Sequence, residues 1–229
     1  MGIGNRYRRV EADLAEQCSL SGRPASEVRL IAVSKTVGVE GAREAYDAGA
    51  RDFGENRPDQ IVPKSKDIAG ARWHFIGNIQ SRRIPEIVAS SALIHSLFKL
   101  SHAEKISEAA VRIGKVQDVL IEVNVSGEES KSGITPNELS EFVAACRLLP
   151  GLRVCGLMTM APQGDPVIAR RSFAGLHDLF EGVRSQMSSE EAAFFTELSM
   201  GMSDDWRVAI DEGATMVRIG RAIFSDDFE

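Results

Sequence analysis

Short apolar runs alternate with amphipathic stretches along almost the whole chain. Residues 28–33, 52–54, 73–77, 93–97, 116–125, 152–158, 194–198 and 216–219 are apolar runs of strand length. Between them, residues 40–47, 58–69, 83–90, 101–114, 136–149, 166–187 and 204–212 carry apolar positions at helical spacing. Ser101 stands at one N-cap with Gly114 just past that helix, Pro136 opens another, and Gly49 and Gly213 stop two more. A further helix, residues 6–18, precedes the first strand.

Strands that alternate with helices imply a parallel sheet covered by those helices. Eight such repeats in 229 residues predict closure into a (β/α)8 TIM barrel with an extra N-terminal helix. Residues 1–229 read as a single domain, since no Pro/Ser/Gly-rich linker divides them and residues 127–133 are only a polar loop. A hydrophobic content of 43% is enough to build the core without metals or disulfides.

Net charge is −6, which argues against a general nucleic-acid binder. The short basic clusters Arg6, Arg8 and Arg9, Arg82 and Arg83, and Arg170 and Arg171 read as solvated helix faces. Cys18, Cys146 and Cys155 are odd in number and lack metal-ligand spacing, as free thiols of a reducing compartment would be. No apolar stretch is long enough for a membrane span, and the arginine-bearing N-terminus lacks a signal core. A cytoplasmic protein is the expectation.

Barrels of this kind work at the C-terminal ends of their strands. There the sequence places Lys35 after strand one, Gly54-Glu55-Asn56 at strand two, His74 and Gly77 at strand three, and Asn124 at strand five. Residues 158–160 close strand six, residues 199–203 strand seven and residues 218–221 strand eight. A lysine at the inner mouth reads two ways. It is a desolvated, nucleophilic amine suited to a carbonyl cofactor, or a surface lysine with its head in water. Ser199, Gly201 and Ser203 before a helix, with Gly220 after Arg218, suit a phosphate cup, although serine and glycine occur in any turn. Arg218 reads either as an ordinary ion-pair partner or as a pure hydrogen-bond donor to a heterocyclic nitrogen.

Eight segments carry a resemblance: Leu30-Ile31-Ala32-Val33-Ser34-Lys35-Thr36, Phe53-Gly54-Glu55-Asn56, Trp73-His74-Phe75-Ile76-Gly77, Glu122-Val123-Asn124-Val125, Glu129-Ser130-Lys131-Ser132-Gly133-Ile134, Gly156-Leu157-Met158-Thr159-Met160, Leu198-Ser199-Met200-Gly201-Met202-Ser203-Asp204-Asp205 and Val217-Arg218-Ile219-Gly220. In that order they closely resemble the pyridoxal-phosphate homeostasis protein family, similar to the N-terminal barrel of alanine racemase. The resemblance implies pyridoxal 5′-phosphate (PLP) held as a Schiff base on Lys35. It implies a phosphate site at Ser199, Gly201 and Gly220 with the backbone of Met202 and Arg221, and Arg218 at the pyridine ring. Asn56 and His74 would line the pocket. Arg221 departs from a threonine common at that position, which puts a hydroxyl contact in doubt but leaves the backbone.

Racemases similar to this family use a second base, a tyrosine from a C-terminal domain. The chain ends at Glu229, and its two tyrosines, Tyr7 and Tyr46, fall in predicted helices. The expectation is therefore a monomeric PLP carrier that serves cofactor homeostasis, with apo PLP-dependent enzymes as candidate recipients. The alternative is a small PLP enzyme such as a weak amino-acid racemase.

Overall fold

Each apolar run becomes a strand, and the strands close on themselves in chain order. In a computed structural model, which describes residues 1–226, helix α1 (Ile3–Leu20) leads into β1 (Arg29–Val33), α2 (Val39–Asp47), β2 (Asp52–Glu55) and α3 (Pro58–Asp67). There follow β3 (Arg72–Phe75), α4 (Ile84–Ser90), β4 (Leu93–Leu97), α5 (Leu100–Arg112), β5 (Gln117–Glu122) and α6 (Leu139–Arg147). The chain ends through β6 (Leu152–Met158), α7 (Pro166–Arg184), the short α8 (Ser189–Ala192), β7 (Glu197–Met202), α9 (Trp206–Asp211), β8 (Met216–Ile219) and α10 (Arg221–Phe224). All neighbouring strands pair in parallel, and β1 pairs with β8 to complete an eight-stranded TIM barrel.

Successive strand residues face opposite sides of a sheet, so each strand feeds two cores. Ala32, Phe53, Trp73, Phe75, Ile94, Leu198, Met200, Val217 and Ile219 join the helices in one large apolar layer. Their neighbours in sequence face the barrel interior. At that inner face Ile31, Leu93, Leu120, Cys155, Met158 and Met216 form a separate apolar cluster. His74, His95, Ser199 and Arg218 alternate with the outward residues and so share the interior, all buried.

The sequence places strand seven too early. Phe194 is half exposed and covers the Arg153 guanidinium at 5.0 Å, while the strand itself spans Glu197–Met202. The helix after it begins at Trp206 rather than near Asp204. Gly201 has φ +88°, a left-handed conformation within the irregularity that shifts the β7–β8 register before Met202 pairs with Arg218. The basic clusters are solvated only in part: Arg170 is exposed and pairs with Asp211 and Arg83 pairs with Glu86, but Arg6 is largely buried and donates to the Ile223 carbonyl at 2.8 Å. The three cysteines are free and buried, and burial pushes Cys146 and Cys155 up to about 12, so both stay as inert thiols. No helix among the described residues is long and apolar enough to cross a membrane.

Candidate functional site

A cavity of about 760 Å³ opens at the C-terminal mouth of the barrel, within the range of small-molecule sites. The ends of β1, β2, β3, β6, β7 and β8 supply its walls through Lys35, Asn56, Gly77, Met160, Ser203 and Gly220. Three close backbone approaches shape it. A Cβ on Gly77 would sit 2.0 Å from the Asn56 carbonyl oxygen, so the loops after β2 and β3 can meet only through glycine. Gly220 packs on Val33, with room of 3.1 Å to its carbonyl oxygen. On Gly201 a Cβ would fall 2.5 Å from that of Ala209.

Of the residues expected here, Lys35, Asn56, Met202, Arg218, Gly220 and Arg221 line the cavity together. Of the two readings open for Lys35, the structure matches the one with its side chain exposed to water. β1 ends at Val33, and a turn closed by the Val37 N–H donating to the Ser34 oxygen carries Lys35 beyond the wall. It keeps access to the cavity and to water alike.

Ser199 lies apart from the cavity lining. It lies two residues inside β7, where alternation points its hydroxyl into the barrel, between Arg218 and His95. Ser203, beyond Gly201, reaches the cavity instead. Gly201 serves the register shift and the packing against α9, and is not on the cavity wall. Met202 lines the wall, but its N–H donates to the Asp205 carboxylate at 2.6 Å and is engaged within the loop. His74 also lies off the wall, buried beneath it on β3. Asn124 ties down the polar loop after β5, donating to the Glu128 carbonyl at 2.8 Å and accepting from Gly127 N–H.

Arg218 is 4% exposed. One arm donates to Ser199 Oγ at 2.6 Å and the other to the Thr159 carbonyl at 3.0 Å, which together fix the guanidinium plane. Burial lowers its pKa to about 10, opposed by Asp205 and Glu122, so it remains a cation at neutral pH. Asp205 is itself pushed up by burial, with the bond from Met202 and the charge of Arg218 opposing.

Glu122, at the end of β5, is raised by burial from 4.5 to about 7 against the pull of Arg218. The folded protein therefore keeps a proton that the unfolded chain has lost between those values. Stability from this group is full below 4.5 and falls as pH rises to about 7. Glu122→Gln should flatten that fall and exceed the wild type above pH 7 by up to about 3 kcal/mol. Urea unfolding of both proteins at pH 5 and pH 8 measures it, and equal pH dependence in the two would refute the assignment.

Sequence reading missed His95 and Lys64, and did not separate Ser203 from Ser199. His95 stands between Ile94 and Ser96 in a strand covered on both faces, and that placement is the available signal for an interior polar group. Ser203 is separated from Ser199 only by knowing where β7 ends.

These features have counterparts in known proteins. The family described as alanine racemase, N-terminal domain, matches residues 12–227. A pyridoxal phosphate homeostasis protein of Aquifex aeolicus is 38% identical over 229 residues, covering 99% of each chain. A crystallised protein of Bifidobacterium adolescentis superposes with a TM-score of 0.90 at 36% identity, over 97% of this chain and 94% of that one. PipY of Synechococcus elongatus, solved with PLP bound, gives 0.80 at 31% identity, over 93% of this chain and 100% of its own.

Proposed function

The chain belongs to the alanine racemase N-terminal domain family and to the pyridoxal phosphate homeostasis proteins, and on that premise we propose that it binds PLP at the barrel mouth as a carrier serving cofactor homeostasis. The observation that carries the reading is convergence on one cavity of three chemistries. These are an accessible amine at Lys35, a fixed cation at Arg218, and the hydroxyl of Ser203 with Gly220 and Arg221 on the same lining. They fit, respectively, an aldehyde, a pyridine nitrogen and a phosphate. When bound, PLP supplies an aldehyde carbon that can be held as a C=N bond.

Lys35 would hold that carbon through its side-chain amine. Ser203 would offer its hydroxyl to the phosphate, with Gly220 and Arg221 lining the same cavity. Arg218 only donates, so a pyridine nitrogen set against it would stay unprotonated and bound PLP would be a weak electron sink. Tyr7 on α1 is buried and Tyr46 on α2 stacks on Arg51, both away from the cavity. Both points favour storage and delivery to apo-enzymes in the cytoplasm, by a monomer, over racemisation.

The test is the visible spectrum and mass of protein mixed with PLP, before and after borohydride, followed by peptide mapping. A coloured protein with one reduced adduct on Lys35, unchanged in the configuration of added amino acids, is expected. Colourless protein without adduct ends the PLP reading. Turnover of any amino acid that depends on Lys35 ends the carrier reading in favour of an enzyme.

A further inference from the structure

The barrel interior contains a line of five polar side chains reaching from the cavity to the opposite end of the barrel. Arg218 Nη1 donates to Ser199 Oγ (2.6 Å), which lies 2.8 Å from His95 Nδ1. His95 Nε2 lies 2.9 Å from His74 Nδ1, and His74 Nε2 is 2.9 Å from Asp52 Oδ1. All five are at most 5% exposed. At the far end Arg72 grips Asp52 with bonds of 2.8 and 2.6 Å. Only Arg218 of the five lines the cavity.

We propose that these groups form a one-way hydrogen-bond relay that holds Arg218 in a single plane as a donor to the cavity, with Ser199, His95 and His74 as positioning residues. The direction follows from both ends. A guanidinium can only donate and a carboxylate can only accept. Asp52 is ionised: despite burial, the bonds from His74 and Arg72 bring it to about 2. His74 must therefore carry its proton on Nε2. Burial disfavours imidazolium at both histidines. His74 Nδ1 is then bare and accepts from His95 Nε2–H. His95 Nδ1 is bare in turn and accepts the Ser199 hydroxyl proton, and the Ser199 oxygen accepts from Arg218. Every link is satisfied, and reversing any one breaks its neighbours.

Stability does not explain the line. An apolar cluster shares the interior with it, and buried charged pairs seldom outperform well-packed hydrophobic residues. What the relay supplies is orientation: serine and the Thr159 carbonyl take one bond from each arm of the guanidinium, and the histidines hold the serine.

Nitrogen-15 spectra of the histidines in protein without PLP test the direction. Neutral Nε2–H tautomers for both His74 and His95 at pH 7 are expected. An Nδ1–H tautomer or an imidazolium at either site overturns the relay, whatever becomes of the PLP reading. A second arm rests on that reading. His95→Phe and Ser199→Ala should weaken PLP binding roughly tenfold, as expected for loss of one charged hydrogen bond. They should also shift the visible maximum of bound PLP, while the borohydride adduct on Lys35 still forms. His95→Gln, which can accept from Ser199 and donate to His74, should restore both. Ser199→Ala removes only a hydroxyl and keeps this arm decisive if His95→Phe fails to fold. A wild-type spectrum and affinity in Ser199→Ala overturns the positioning role. If the wild-type protein takes up no PLP, the PLP reading fails alone and the tautomers still decide the relay.

Discussion

Lys64→Met should lower the melting temperature by about 10 °C, the largest loss of stability expected from any single change near the cavity. Lys64 is on α3, 1% exposed, and its ammonium is 2.5 Å from Glu55 Oε1 at the end of β2. It also donates to the Ser34 carbonyl at 2.9 Å, and the Ser34 hydroxyl donates to the same Glu55 oxygen at 2.6 Å. One buried cation thus ties a helix to the ends of two strands, beside the residues that present Lys35 and Asn56. Glu55 Oε2 has no hydrogen-bond partner among the described residues, so that carboxylate has little reserve. Removing the ammonium leaves a buried charge with one hydroxyl donor, a situation that typically costs about 3–5 kcal/mol.

A double variant separates stranded charge from lost packing. Methionine fills much of the lysine stem's volume, so the remaining penalty is mainly electrostatic. Adding Glu55→Gln should then recover a large part of the loss. A fall of less than about 2 °C, or a double variant worse than the single one, would mean the pair contributes little.

The barrel was legible because its signals are redundant. Eight apolar runs separated by helical periods admit few topologies, and small errors at the ends of β5 or β7 do not alter the count. The site was legible where backbone position alone decides, as for Lys35, Asn56 and Gly220, which follow strands whatever their side chains do. It failed where facing decides. Ser199 and Ser203 are four residues apart, and whether the chain is still pleated between them, or has shifted register around Gly201, exchanges interior for cavity. Lys64 and Lys66 show the same limit on a helix. Both belong to the last turns of α3, yet Lys64 is buried and Lys66 is exposed. A lysine pattern does not announce a buried glutamate supplied by a neighbouring strand.

Lys35→Ala should produce the opposite result from Lys64→Met: an unchanged barrel that has lost all borohydride-fixed cofactor. Lys35 is exposed and lies two residues past β1, so its removal empties no packed space. Surface changes of this kind usually stay within about 0.5 kcal/mol, or about 2 °C for a domain of this size. Covalent capture, however, needs an uncharged amine able to reach the aldehyde carbon, and alanine offers none. Lys64 cannot substitute, because its nitrogen is enclosed and already bonded to Glu55 and Ser34. Ser203, Gly220 and Arg218 are untouched, so PLP should still bind reversibly, held by phosphate and ring contacts alone and removable by dialysis. Adduct that persists at wild-type yield would place the reactive amine elsewhere, and a large fall in melting temperature would make Lys35 part of the scaffold. The contrast between the two lysines isolates the physical difference on which the proposed chemistry depends: one nitrogen is committed to neighbours inside the wall, and the other is left available at the mouth.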